Sequence, residues 1–280
     1  MLLLIATLAA LSPQSTDTTV PVRAGSRLEL SSQEGNITVA TWNRSAIRIE
    51  ADDEEDTRIE VDQNGGTVSI RAHHRYGPSE VSWKLTVPAD MALELSSQSG
   101  DIVVDGTRGE VNVSTVEGKV TVRGGTGFVT LQSVEGDIDL SDASGRIGVT
   151  TVDGSVTVRG AHGDLKASAV DGEILLEDIE SSNVEANTVD GEIRFSGAIR
   201  DGGRYRLSSH DGDVTVTAPV INASVVVSTF SGDFDSDFPV TLTGNTARKR
   251  MSFTLGSGTA RLELESFDGT VSLRKSGGRR

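Results

Sequence analysis

The sequence predicts an all-β fold, a single-chain parallel β-solenoid (β-helix) of two-strand coils, each roughly 18–21 residues long, behind an irregular β N-terminal region. Three observations predict it: a short acidic-glycine signature recurs at near-constant spacing, apolar and polar residues alternate between the copies, and the composition suits a thin core. Aromatics make up only 4% of the 280 residues while Gly contributes 31, so the apolar content rests on Val, Leu, Ile and Ala. Small β-branched side chains can fill a thin core in stacked rows, where a thick aromatic core is out of reach.

The signature reads Ser/Thr, one or two variable residues, an acidic residue and Gly. It occurs as SSQSG, STVEG, QSVEG, TTVDG and SAVDG, ending at Gly100, Gly118, Gly136, Gly154 and Gly172, with 18 residues between successive glycines. It continues as NTVDG, SSHDG and STFSG, ending at Gly191, Gly212 and Gly232 after gaps of 19, 21 and 20, and as ESFDG, ending at Gly269. An earlier copy, SSQEG, ends at Gly35. These glycines are assigned as structural turn residues, supplying positive φ or close backbone approach at the corners.

Between copies, alternation of period two marks strands with one buried face. After Gly118 come Val120 and Val122, a Gly124-Gly125-Thr126-Gly127 turn, then Val129, Leu131 and Ser133. Aligned periods give inward columns: Ile102, Val120, Ile138, Val156, Ile174, Ile193, Val214, and beside it Val104, Val122, Leu140, Val158, Leu176, Phe195, Val216. The opposite strand contributes Val111, Val129, Ile147, Leu165, Val184 and then Val113, Leu131, Val149, Ala167, Ala186. A single coil buries almost nothing, so such a stack depends on its neighbours and on capped ends.

Four segments follow. Residues 1–18 are expected to be a signal peptide, because 2–11 (LLLIATLAAL) is apolar, too short to span a bilayer as a helix, and followed by small residues. Residues 20–95 are an N-terminal β region or cap, with strands expected at 27–30, 36–40, 46–50, 57–61, 67–72 and 80–87, as longer coils or a small antiparallel sheet. Residues 96–275 carry the solenoid, with 251–258 and 261–273 read as its final coils, and 276–280 form a disordered tail.

The strand-Val-Pro step (Leu85 to Pro88), LELSSQSGDIVV at 93–104, the recurring TV(D/E)G units and the closing GSGTARLELESFDGTVSL resemble the putative-adhesin family of bacterial exported proteins, a domain of unknown function. The resemblance covers about residues 25–273 and implies a β-solenoid and export. It brings no catalytic residues with it.

The net charge of −15 and the lack of a basic run exclude a nucleic-acid footprint and disfavour an anionic bilayer. There is no Cys, so neither a lipid-anchoring thiol nor a disulfide is available. No second segment could serve as a transmembrane helix.

The pre-glycine column Glu117, Glu135, Asp153, Asp171, Asp190 and Asp211 would set carboxylates on successive coils about 4.8 Å apart. Its functional reading is a row of hard-cation sites; its simpler reading is hydrated turn residues, and the simpler one is preferred. The acidic run Asp52-Asp53-Glu54-Glu55-Asp56 reads as a solvated loop between strands. His73 and His74 are adjacent and would face opposite sides of a strand, and His162 and His210 are expected alone in turns, so no zinc set emerges.

Outward acids such as Asp105, Asp139 and Glu177 share their columns with Arg or Ser. Glycosidase chemistry needs two carboxyls at controlled separation across a groove, and neither inserted loops nor aromatic platforms are present to build one. Thr115, Ser133, Thr151 and Thr188 recur at corner positions, which suggests packing and hydrogen bonding. No catalytic residue and no cofactor are assigned. The expected function is a non-enzymatic exported module, periplasmic, cell-surface or secreted, binding a protein or glycan of the envelope. The alternatives are a carbohydrate-active β-helix enzyme and a cation-dependent module using the acidic column.

Overall fold

The computed structural model describes residues 15–53, 57–74, 80–240 and 250–277. Within them the chain forms β1 (Ser15–Pro21), β2 (Arg27–Glu34), β3 (Ile37–Trp42), β4 (Ala46–Asp53), β5 (Thr57–Asn64), β6 (Thr67–His74) and β7 (Val81–Pro88). The regular region holds β8 (Ala92–Ser99), β9 (Ile102–Thr107), β10 (Val111–Glu117), β11 (Val120–Gly124), β12 (Thr126–Glu135), β13 (Ile138–Ser141) and β14 (Ser144–Thr150). It continues through β15 (Val156–Arg159), β16 (His162–Ser168), β17 (Ile174–Ile179), β18 (Asn183–Asp190), β19 (Ile193–Gly197), β20 (Arg204–Asp211) and β21 (Val214–Ala218). The C-terminal part holds β22 (Ala223–Thr229), β23 (Phe234–Ser236), β24 (Arg250–Leu255), β25 (Ala260–Asp268) and β26 (Val271–Lys275).

The strands form two facing sheets of thirteen. Each coil gives one strand to each sheet and pairs in parallel with its neighbours, so a sheet of thirteen at about 4.8 Å spans roughly 58 Å. The register is the one the alternation requires: Val120 lies opposite Ile102 and Ile138, and Val129 opposite Val111 and Ile147. A one-residue slip would turn every inward side chain to solvent. All the inward columns named above are buried and join one continuous core between the sheets. Phe195 and Tyr205, buried and from opposite sheets, meet edge to face at 5.7 Å. The Tyr205 hydroxyl donates to Ser181 O at 2.8 Å, so its polar tip is satisfied inside the stack.

Both ends depart from simple chain order. At the N-terminal end, β2 lies between β6 and β8, and β3 between β7 and β9, all in parallel. Beyond them β5 joins β6 antiparallel, β4 joins β7 antiparallel, and β1 closes the sheet on β4. The region thus contains both extra coils and an antiparallel cap. Asp52 and Asp53 belong to β4 rather than to a loop, and residues 54–56 lie outside the described residues.

At the C-terminal end the expected order is corrected. The STFSG copy does not follow SSHDG in space: β20 and β21 pair with β25 and β26, and β22 and β23 stack outside those. The outermost strand of that sheet is β24, antiparallel to β22, so 251–258 forms no coil and 261–273 is internal. Strand quality explains the exchange. The β25–β26 coil has a complete inward set in Ala260, Leu262, Leu264, Val271 and Leu273, all buried, whereas β23 is three residues long with a half-buried Phe234. The short strand β23 sits at the edge of its sheet, where only one neighbour is needed. Ser276 still donates its N–H to Ala218 O at 3.1 Å, and residues 278–280 lie outside the described residues, as does the apolar run at 2–11.

Candidate binding edge

Each coil is a flattened loop with two corners, and the acidic-glycine signature builds one of them. Four positions repeat there with fixed roles. The first is a Ser or Thr that alternation turns inward; Ser32, Thr115, Thr188, Ser209 and Ser266 are all buried. Their hydroxyls cap corner carbonyls: Thr115 donates to Glu117 O at 3.0 Å, Thr151 to Gly136 O at 3.1 Å, and Ser209 and Ser266 to Gly191 O and Gly212 O at 2.8 Å. Ser97 and Ser133 are exceptions, buried with hydroxyls that find no partner.

The fourth position is the glycine. Its N–H donates to the pre-glycine carbonyl of the next coil, as from Gly118 to Glu135 O at 3.0 Å and from Gly154 to Asp171 O at 3.0 Å. Gly35, Gly100, Gly118, Gly136, Gly154, Gly191 and Gly212 have φ between +100° and +155°. Gly172 and Gly269 are held by proximity instead: a β-carbon there would lie 2.0 and 2.4 Å from the carbonyl oxygens of Gly154 and Gly212. Gly232 stacks on Gly269 with a still closer approach.

The third position is the acidic column. Glu117, Glu135, Asp153, Asp171, Asp190 and Asp211 are all exposed and stand in register along the stack, with Asp268 following Asp211. Lys119, one residue past Gly118, turns away from the row to Asp139 at 2.6 Å. Among the described residues no three Asp, Glu or His side chains converge to hold a metal ion.

The second position supplies what reading by columns overlooked. With Thr115 inward, Val116 must face out, and the same holds at Val134, Val152, Val170 and Val189, each 41–47% exposed. The row continues through His210, Phe267 and Phe230: the His210 and Phe267 rings lie 4.8 Å apart, and Phe267 stacks on Phe230 at 4.6 Å and 8°. Eight coils in spatial order thus present an apolar ridge roughly 34 Å long, with the carboxylate row beside it. The signal was present in the sequence as a Val next to an inward Thr, out of phase with the strand.

A further set of acids, just after the glycine, is structural. The Asp101, Asp137 and Asp213 carboxylates accept the N–H of Lys119, Ser155 and Thr270 at 2.7–2.8 Å, and Asn36 Oδ1 accepts that of Asp101 at 2.9 Å. Each side chain therefore ties the corner of its own coil to the next.

On the outer face of the sheet that contains β9, β11, β13, β15, β17 and β19, the acids weighed for hydrolysis are bound to cations. Arg123 reaches Asp105 at 2.5 Å, Arg159 reaches Glu177 at 2.7 Å, and Asp139 holds Lys119. His162 and His210 lie in strands, which corrects their expected place in turns, while His73 and His74 lie in a strand as expected. His162 stands in β16 with Nδ1 3.6 Å from Glu180, His210 in β20 on the ridge, and His73 in β6 with Nε2 3.4 Å from Glu60. Strand alternation carries the 162 and 210 positions past the turn that their neighbouring glycines suggested.

Two solved structures are similar to the chain over nearly its whole length. One, described as a putative cell adhesion protein from Clostridium sporogenes, has 10% identity and a TM-score of 0.23, covering 93% of this chain and 99% of its own. The other, described as a putative adhesin from Bacteroides fragilis, has 12% identity and a TM-score of 0.42, covering 94% and 98%. No curated protein matches. A family model described as Toastrack DUF4097 spans residues 25–274, from the start of the first coil to the end of the inserted last one. On that coverage the chain belongs to the Toastrack DUF4097 family.

Proposed function

We propose that this chain is a non-enzymatic module of the cell envelope or surface, exported by its apolar leader, that works by binding a protein partner along the ridged corner. The observation that carries this reading is the row from Val116 to Phe230. Single exposed apolar residues need no explanation, but a continuous row beside a continuous row of carboxylates does. The spacing favours an extended partner segment that sets apolar side chains against the valines and basic ones against the acids. Charge complementarity of that kind gives register and speed of encounter. Removal of a leader ahead of Ser15 would leave β1 whole and the N-terminal cap closed. The ion pairs that occupy Asp105, Asp139 and Glu177 support a role without catalysis, because a hydrolytic pair needs carboxyls free to exchange protons.

The test compares the full chain with a Val134→Glu, Val152→Glu, Val170→Glu variant, each immobilised and exposed to proteins solubilised from the native envelope. A specific partner retained by the first, lost by the second and weakened by salt supports the proposal; equal retention by both overturns the ridge. Product released from a panel of polysaccharides by the purified chain would overturn the non-enzymatic reading.

A further inference from the structure

The corner opposite the ridge has a different character at its N-terminal end. Four turns meet there: 22–26 between β1 and β2, 43–45 between β3 and β4, 89–91 between β7 and β8, and 108–110 between β9 and β10. They enclose an open cavity of about 260 Å³. Its floor is apolar, formed by Met91 and Ala89, both buried, and by the half-buried Trp42. Its rim is cationic, with Arg23, Arg44 and Arg108. Three guanidinium groups around one cavity are unexpected in a chain with 26 basic and 41 acidic residues.

Among the described residues one of them is neutralised by an acid. Arg108 Nε pairs with Asp90 at 3.0 Å, with both side chains largely exposed. Among the described residues neither Arg23 nor Arg44 makes an ion pair. Arg44 is nevertheless held in place: its guanidinium carbon lies 5.0 Å above the Trp42 ring, and the indole is anchored by Nε1 donating to Ala46 O at 2.8 Å. A guanidinium stacked on an anchored ring keeps its N–H edge for a ligand and loses little rotamer freedom on binding. Among the described residues no acid pairs with Arg23 or Arg44, so ion pairing there does not explain the arrangement.

We propose that this cavity binds a carboxylate-bearing sugar unit, such as a uronic acid residue of an acidic polysaccharide. The planar carboxylate matches the forked donors of Arg44 and Arg23. A pyranose ring has an apolar C–H face suited to the Met91 and Trp42 floor, and the Asn43 and Ser45 side chains border the opening for its hydroxyls. This goes beyond the ridge proposal and is independent of it, since the two sites occupy opposite corners.

The test is a titration of the full chain with tri-galacturonic acid, read by tryptophan fluorescence and calorimetry. The chain has two tryptophans; Trp83 is buried, so a ligand-dependent change reports on Trp42. Saturable binding is expected, at least tenfold weaker in Arg44→Gln and in Arg23→Gln, and unchanged in the triple-valine ridge variant. Circular dichroism and melting of the arginine variants should match the parent, since both side chains are exposed. Equal binding of a neutral trisaccharide would overturn the role of the arginines. Displacement by acetate or inorganic phosphate at the same concentration would reduce the site to a general anion hole and overturn the sugar assignment, and absence of binding would overturn the whole.

Discussion

A β-carbon built on Gly136 would stand 2.2 Å from the carbonyl oxygen of Gly118. Two coils therefore approach at this corner as closely as backbone atoms allow, and Gly136 combines that with a φ of +150°. Gly136→Ala should destabilise by about 2–4 kcal/mol, from overpacking together with backbone strain. Gly148, mid-strand in β14 with nothing within 4 Å of its virtual β-carbon, is the control. Gly148→Ala should be neutral or slightly stabilising in the same urea melts.

The hydroxyl position separates satisfied from unsatisfied copies of one motif. Ser209→Ala removes a 2.8 Å bond to Gly191 O and should lose about 1 kcal/mol. Ser133→Ala removes a buried hydroxyl with no partner and should gain up to about 1 kcal/mol. Opposite signs at equivalent positions are the expected result of thermal denaturation.

Core and ridge side chains should part in the same way. Leu140, buried in the column between Val122 and Val158, should lose about 2–5 kcal/mol on truncation to Ala. Val134→Ala on the ridge should stay within about 0.5 kcal/mol. A ridge substitution that abolished binding would then report on the surface alone.

The far end offers a titration. The Lys275 N–H and the Arg274 guanidinium hold the Asp237 carboxyl below the ordinary carboxylate range. A folded value below the unfolded one gives stabilisation that is complete above the unfolded value and is lost as the pH falls through the folded one. The contact should therefore persist at neutral pH and weaken below about pH 4. NMR of the Lys275 amide should follow that titration in the parent and lose it in Asp237→Asn.

The acidic row makes a final prediction. Because its carboxylates are exposed and, among the described residues, do not converge, melting temperature should be the same in millimolar calcium and in chelator. A rise of several degrees with calcium would restore the row as a cation site.

The middle of this molecule was legible because one period of two and one of eighteen determine it together. Ile138 and Val156 are neighbours by arithmetic as much as by packing. The ends were not, because spatial order there departs from chain order. No local signal in ESFDG distinguishes a terminal coil from an inserted one; only the short β23 hints at it. The ridge was less legible, because Val116 and Val152 occupy outward positions of the alternation, where an apolar residue carries no core signal. The arginine cavity was invisible to any window along the chain. Arg23, Arg44 and Arg108 are separated by 21 and 64 residues and meet because four turns share a corner.

The exchanged coil has a consequence for how the chain reaches its final form. From β8 onward each new coil can dock on the one before it as it is made, but after β21 the chain lays out β22 and β23 one place too far along. The vacancy is filled only by residues 260–275, which hold the last two strands among the described residues. Residues 260–275 act as a keystone: until they arrive, β20 and β21 present open strand edges, and once they arrive both sides close together. In the finished fold, the pairing of β20 and β21 with their outer neighbours therefore depends on residues 260–275 being present.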